Sequence, residues 1–121
     1  MSKILIVDDN LANREILRLR LERLGHEVIE AVDGEEGLLS AEAHSPALIF
    51  LDVMMPKKNG WQVCRDLKGN PKTQSTPIVM LTALHEHREE FQSHECGADD
   101  YMTKPWAPEN LKTIVAKWLA A

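Results

Sequence analysis

Residues 3–10 read KILIVDDN, from Lys3 through the apolar run Ile4-Leu5-Ile6-Val7 to Asp8, Asp9 and Asn10. The reading of this stretch decides the fold. Four consecutive apolar residues, three of them β-branched, make a strand with no polar face, and such a strand needs cover on both sides, as in a parallel sheet. The run then stops at two adjacent carboxylates and an amide. Acids at the mouth of a core call for something positive to meet them, and the rest of the chain has to supply it.

Working outward, LANREILRLRLERLG (residues 11–25) places Ile16, Leu17, Leu21 and Leu24 at helical spacing, with Asn10 as N-cap and Gly25 as the stop. EVIEA (27–31) reads as a second strand, Asp33-Gly34 as a turn, and EEGLLSAEAH as a short helix ending before Pro46. ALIFLD (47–52) is another doubly covered strand. A loop punctuated by Pro56 and Gly60 leads into a helix around WQVCRDLKGN, with Val63, Cys64 and Leu67 facing inward. TPIVMLTA gives a fourth strand closing at Thr82. A polar helix follows over 85–96, anchored by Phe91 and stopped by Gly97; DYMT (100–103) is a fifth strand. The last helix, PENLKTIVAKWLA, carries Pro108 in its first turn and Leu111, Ile114, Val115 and Trp118 on one face. Five strands alternating with five helices predict an α/β domain, a doubly wound parallel sheet with helices on both faces.

The 121 residues fit one domain, 1–121, and 44% hydrophobic with 27% charged residues is the composition of an ordinary globule. A net charge of −5 speaks against direct nucleic-acid binding. Cys64 and Cys96 have no metal-ligand spacing and read as free thiols of a reducing compartment. No run approaches the ~18 apolar residues of a membrane span, and Lys3 leading straight into a strand is no signal peptide. No membrane partner and a cytoplasmic location are therefore expected.

In a doubly wound sheet, ligands bind beyond the carboxyl ends of the strands. Asp8 and Asp9 leave the first strand there, Asp52 the third, Thr82 the fourth and Lys104 the fifth. Asp8 and Asp9 are also suited to starting a turn or capping the first helix. If the three acids converge, two charges ~4 Å apart repel by about 4 kcal/mol at an effective dielectric near 20. A hard divalent cation relieves this: Mg²⁺ takes oxygen ligands and commonly uses one or two carboxylates plus waters and phosphate oxygens. Asp9 and Asp52 would bind it directly and Asp8 through water. Lys104 suits a carboxylate and then a phosphoryl oxygen, and Thr82 adds a hydroxyl. Asp52, held ionised between metal and ammonium, is then a nucleophile able to accept a phosphoryl group.

Taken together, VDDN, LDVMMP with Gly60, LTA and TKP resemble the receiver domains of two-component response regulators, of the chemotaxis-regulator type, over nearly the whole chain. The resemblance implies a flavodoxin-like receiver fold with strand order 2-1-3-4-5. It implies that Asp52 is phosphorylated by a sensor histidine kinase, a phosphotransfer protein or a small phosphodonor. Asp8, Asp9 and Asp52 would hold Mg²⁺ with the Met54 backbone carbonyl, and the Lys104–Pro105 peptide would be cis. Thr82 would move toward the phosphoryl group and Tyr101 swing inward, altering the surface formed by the helix over 85–96, the fifth strand and the last helix. The output would be a downstream protein or a fused output domain, and phosphorylation-dependent dimerisation is compatible with it.

Trp106 follows the Lys-Pro pair where the family usually has smaller aliphatics or Phe, and Trp61 follows Gly60 beside the loop after the third strand; both read as covers of the sheet edge, with hydrophobic contact to a partner as the alternative. By the same resemblance Met54 and Leu84 would lie near the phosphoryl pocket and offer an attacking water no hydrogen bond, so a phosphoform that is not especially short-lived is expected. His85, His87 and His94 read as residues of a solvated helix. A stand-alone phosphohydrolase of the haloacid dehalogenase type needs an acid two residues after its nucleophile, and Met54 stands there. A flavodoxin-like cofactor site needs a phosphate-cradling loop after the first strand, where this chain has acids. The expectation is a switch that promotes only its own phosphorylation and dephosphorylation, not an enzyme acting on other substrates.

Overall fold

The computed structural model describes residues 2–55, 59–83, 97–104 and 106–119. Its elements run β1 (Lys3–Val7), α1 (Leu11–Arg23), β2 (Glu27–Ala31), α2 (Gly34–His44), β3 (Leu48–Asp52), α3 (Gly60–Lys68), β4 (Ile78–Ala83), β5 (Asp100–Lys104) and α4 (Pro108–Leu119). The expected helix over 85–96, with Phe91, the three histidines, Cys96 and Leu84, lies outside the described residues, as do Pro56 and the Lys104–Pro105 peptide.

The five strands are parallel, in the order β2-β1-β3-β4-β5. Because side chains alternate along a strand, each central strand feeds two apolar layers. Leu5, Val7, Ile49, Leu51, Ile78 and Met80 point to one face, where Ala41 of α2 and Val63, Cys64 and Leu67 of α3 cover them. Ile4, Ile6, Leu48, Phe50, Val79, Leu81 and Met102 point to the other, under Leu17 and Leu21 of α1 and Leu111 and Val115 of α4. Ile114 and Trp118 pack half-buried against that second layer. The unbroken apolar reading of β1 and β3 thus follows from their having no solvent face, and every residue of β3 is buried.

Helix ends follow local chemistry. Asn10 caps α1, its side chain accepting from the Asn13 N–H. Asp33 is the N-cap of α2 rather than part of a free turn: its side chain accepts from the Glu36 N–H at 2.8 Å, and Glu36 reaches back to the Val32 N–H. Gly25, just past α1, has φ +92°, which suits the C-terminal stop.

Two expectations need correction. Ile16 and Leu24 do not face the core, being 53% and 38% exposed; the buried row of α1 is Arg14, Leu17 and Leu21. The fifth strand also runs one residue further than expected, so that Lys104 sits in the ladder opposite Ala83. Cys64 is buried and forms no disulfide. Trp61 is buried in the α3 layer and Trp106 packs half-buried against the other, which fits their reading as covers. Among the described residues no helix is long and apolar enough to cross a membrane.

Candidate functional site

The sheet delivers its polar residues in one row. In the pairing between β3 and β4, Asp52 stands opposite Leu81, so Thr82 lies one step beyond it; Thr82 in turn faces Thr103, the residue before Lys104. Asp8 follows the last residue of β1 and remains tied to the sheet by its N–H, which donates to the Ala31 carbonyl at 3.1 Å. Apolar side chains below each of these positions fix the strand tips, so the polar residues inherit their placement from the core.

Asp8, Asp9 and Asp52 each offer a carboxylate oxygen, and these oxygens lie within 4.8 Å of one another. Asp8 and Asp52 are buried and Asp9 is exposed. Lys104 Nζ bridges the two buried acids, at 3.0 Å from Asp52 Oδ1 and 3.4 Å from Asp8 Oδ2. The other oxygen of Asp8 accepts from the Asn10 N–H at 2.9 Å. Asp9, Asn10, Asn13, Asp52, Met54 and Lys104 line a cleft of about 330 Å³ beside this cluster. A larger groove of about 500 Å³, walled by Ile16, Leu17, Leu81, Trp106 and Pro108, adjoins it at Lys104.

One ammonium does not balance three carboxylates. Burial, the Asp8 charge and, more weakly, Asp9 push Asp52 up to about 6, against the attraction and hydrogen bond of Lys104. Burial alone would lower the Lys104 ammonium, but Asp52 and Asp8 outweigh it and raise it. An all-oxygen donor set with residual negative charge fits a hard divalent cation. Two oxygens on one Mg²⁺ lie at most about 4.2 Å apart, from ~2.1 Å bonds. Both oxygens of Asp8 are already engaged, by the Asn10 N–H and by Lys104, whereas Asp9 stands exposed at the rim of the cleft.

Of the residues singled out by sequence, Asp8, Asp9, Asp52 and Lys104 come together, and Met54, exposed, lines the cleft. Thr82 is buried at the same edge, and no hydrogen bond joins its hydroxyl to Asp52 or Lys104 among the described residues. Tyr101 lies opposite Met80 in β5, half-buried and packed on the α3 side of the sheet. Sequence reasoning missed Asn13, which lines the cleft, and Arg14, which is buried and donates to the Asp8 carbonyl at 2.8 Å. The available signal for Arg14 was its place in the 14–17–21 helical row, where a charge without a partner would be costly.

A family model, the response regulator receiver domain, matches residues 4–116. The alkaline phosphatase synthesis transcriptional regulatory protein PhoP of Bacillus subtilis (strain 168) is 47% identical over 113 residues, 93% of this chain and 46% of that protein. The DNA-binding dual master transcriptional regulator RpaA of Synechocystis sp. is 41% identical over 111 residues, 92% of this chain and 46% of that protein. The chain thus spans about half the length of these curated relatives. Among solved structures, the receiver domain of a sensor histidine kinase from Pseudomonas aeruginosa PAO1, with a magnesium ion in its active-site cleft, superposes with a TM-score of 0.90 at 28% identity, covering 99% of this chain and 98% of that one. The signal receiver domain of a histidine kinase from Syntrophus aciditrophicus gives 0.90 at 37% identity, covering 99% and 91%. Sheet order, acidic cluster and matches over nearly the full length agree: the chain belongs to the response regulator receiver domains, the phosphorylation-activated switches of two-component signalling.

Proposed function

We propose that Asp52 is the phosphoacceptor, that Asp8, Asp9, Asp52 and the Met54 carbonyl hold Mg²⁺, and that the domain is a signalling switch and not an enzyme acting on other substrates. The observation that carries this reading is the Asp52 carboxylate, buried at a strand tip between Lys104 and two further acids, at the edge of an open cleft. An Asp52 oxygen forms the new bond to phosphorus as the bond to the leaving group breaks, with the electron pair departing on acetate or on a histidine nitrogen. Lys104, 3.0 Å from Asp52, holds the carboxylate in place and then meets a phosphoryl oxygen. Bound Mg²⁺ supplies charge neutralisation for the phosphoryl oxygens and for the acids.

Thr82 and Tyr101 are the proposed switch pair. The group that enters brings about −1.5 to −2 charge and strong acceptor oxygens, and Thr82 at the neighbouring tip is placed to donate to it. The partners are a sensor histidine kinase or phosphotransfer protein and a downstream protein or fused output domain. The domain itself acts in the cytoplasm without touching DNA or membrane.

Acetyl phosphate with Mg²⁺ should add one phosphoryl group per chain by mass spectrometry, and EDTA should prevent it. No uptake at millimolar donor sinks the proposal. Met54 gives an attacking water no hydrogen bond, so the phosphoform should not be especially short-lived, decaying no faster than that of the Met54→Asn, Leu84→Glu double variant. Faster decay of the parent, followed by loss of the added mass, contradicts this.

A further inference from the structure

Arg14 is a charge at a core position. It is 9% exposed, between the acids' loop and the sheet, in the row that continues through Leu17 and Leu21. Its Nη1 donates to the Asp8 carbonyl at 2.8 Å, and its Nε pairs with Glu30 Oε1 of β2 at 3.0 Å. Glu30 is held in turn by Arg18, 3.4 Å from its other oxygen. Only the arginine end of this pair is buried, Glu30 lying at the surface, and an ion pair screened by water at one end is a weak source of stability beside an apolar side chain of similar volume. A purpose beyond stability is needed to account for an arginine where a leucine would pack.

The Asp8 carbonyl belongs to the peptide plane that carries Asp9. Asp8 N–H is bound to Ala31, Asp8 Oδ1 to Asn10 and Asp8 Oδ2 to Lys104. The contact from Arg14 fixes the remaining polar group and with it the direction in which Asp9 leaves the strand. We infer that Arg14, braced by Glu30, is a positioning residue that sets the Asp8–Asp9 peptide so that Asp9 and Asp52 face one cation. This rests on the reading of the three acids as a Mg²⁺ site.

Two effects of removing Arg14 have opposite signs, which makes the inference testable. Loss of a nearby positive charge by itself tightens Mg²⁺ binding. Loss of positioning leaves a buried carbonyl unpaired, lets the peptide turn and weakens binding; removing outer partners of metal ligands typically costs 10- to 100-fold. The experiment is a calorimetric Mg²⁺ titration of the full chain as parent, Arg14→Met, Arg14→Lys and Val115→Ala, with urea unfolding of each.

Arg14→Met should bind Mg²⁺ roughly tenfold more weakly. Arg14→Lys, whose single ammonium cannot reproduce two directed guanidinium contacts, should be at least about threefold weaker. Val115→Ala removes packing under the same layer and should lose stability while keeping its Mg²⁺ affinity within about twofold. Binding within twofold of the parent, or tighter, in Arg14→Met overturns the inference while leaving the cation site standing. If Arg14→Met does not fold, Arg14→Lys decides by its own threefold criterion. A parent that binds no Mg²⁺ overturns the cation site itself.

Discussion

Asp52→Asn should abolish phosphoryl uptake from acetyl phosphate and, in EDTA above pH 6, make the protein harder to unfold by about 1–2 kcal/mol. The first effect follows from removing the proposed nucleophile, since an amide forms no acyl phosphate here. The second follows from the carboxylate's surroundings. Burial and the neighbouring acids raise Asp52 from an ordinary 3.8 to about 6, against Lys104. A raised carboxyl means that the folded protein binds more protons than the unfolded chain between those two values. The metal-free parent therefore loses stability as pH climbs from about 4 to 6 and carries the full cost above 6. The ceiling, at ~1.4 kcal/mol per tenfold, is about 3 kcal/mol, and access of water through the cleft reduces it. The asparagine oxygen still accepts from Lys104 without the charge, so the variant escapes that cost.

Urea titrations in EDTA at pH 4 and pH 7.5 check this. The two proteins should converge at pH 4 and separate at pH 7.5, with the variant ahead. Saturating Mg²⁺ should then stabilise the parent, by about 1.4 kcal/mol at ten times the dissociation constant, and the variant much less. A variant no more stable than the parent at pH 7.5 would mean that Lys104 already balances the cluster, and the case for residual negative charge would fall with it.

What sequence shows depends on whether a residue's environment is set locally. Ile4 to Val7 and Leu48 to Asp52 are legible because a strand covered on both faces admits only apolar side chains until its tip. The acidic cluster was legible for the same reason, since the topology alone carries Asp8, Asp52 and Lys104 to one edge. The inward face of α1 was not. Its arginines interleave with leucines, so periodicity admits Ile16 and Leu24 to the core as readily as Arg14, and what decides is a carbonyl at Asp8 and a carboxylate on β2. Nor could spacing distinguish a Gly60 that ends a loop from a Gly60 that lets two backbones touch.

Gly60→Ala separates those two meanings and should be among the most damaging single-methyl additions in this chain. A Cβ at position 60 would stand 2.2 Å from the Asp52 carbonyl oxygen and 2.8 Å from Val53 Cα. Both obstacles are backbone, so no rotamer change relieves them. The Gly60 N–H also donates to the Val53 carbonyl at 2.9 Å, which locks the start of α3 to the residue after Asp52. Asn59 and Gln62 form a capping box there, so the first turn of α3 cannot simply unwind away. The alanine must push α3 off the tip of β3 or drag Asp52 out of line. A loss of about 3 kcal/mol in urea unfolding is expected, at the upper end for overpacking. In the fraction that folds, phosphorylation by acetyl phosphate should slow by at least about tenfold, since a displacement near 1 Å at a reacting group can cost 100-fold. Gly69→Ala is the control: it ends the same helix with φ −86° and its nearest obstacle is 3.3 Å away. It should change stability by less than about 0.5 kcal/mol and leave phosphorylation unaltered. If Gly60→Ala behaves like Gly69→Ala, the close approach of α3 to Asp52 is not what holds that carboxylate in place.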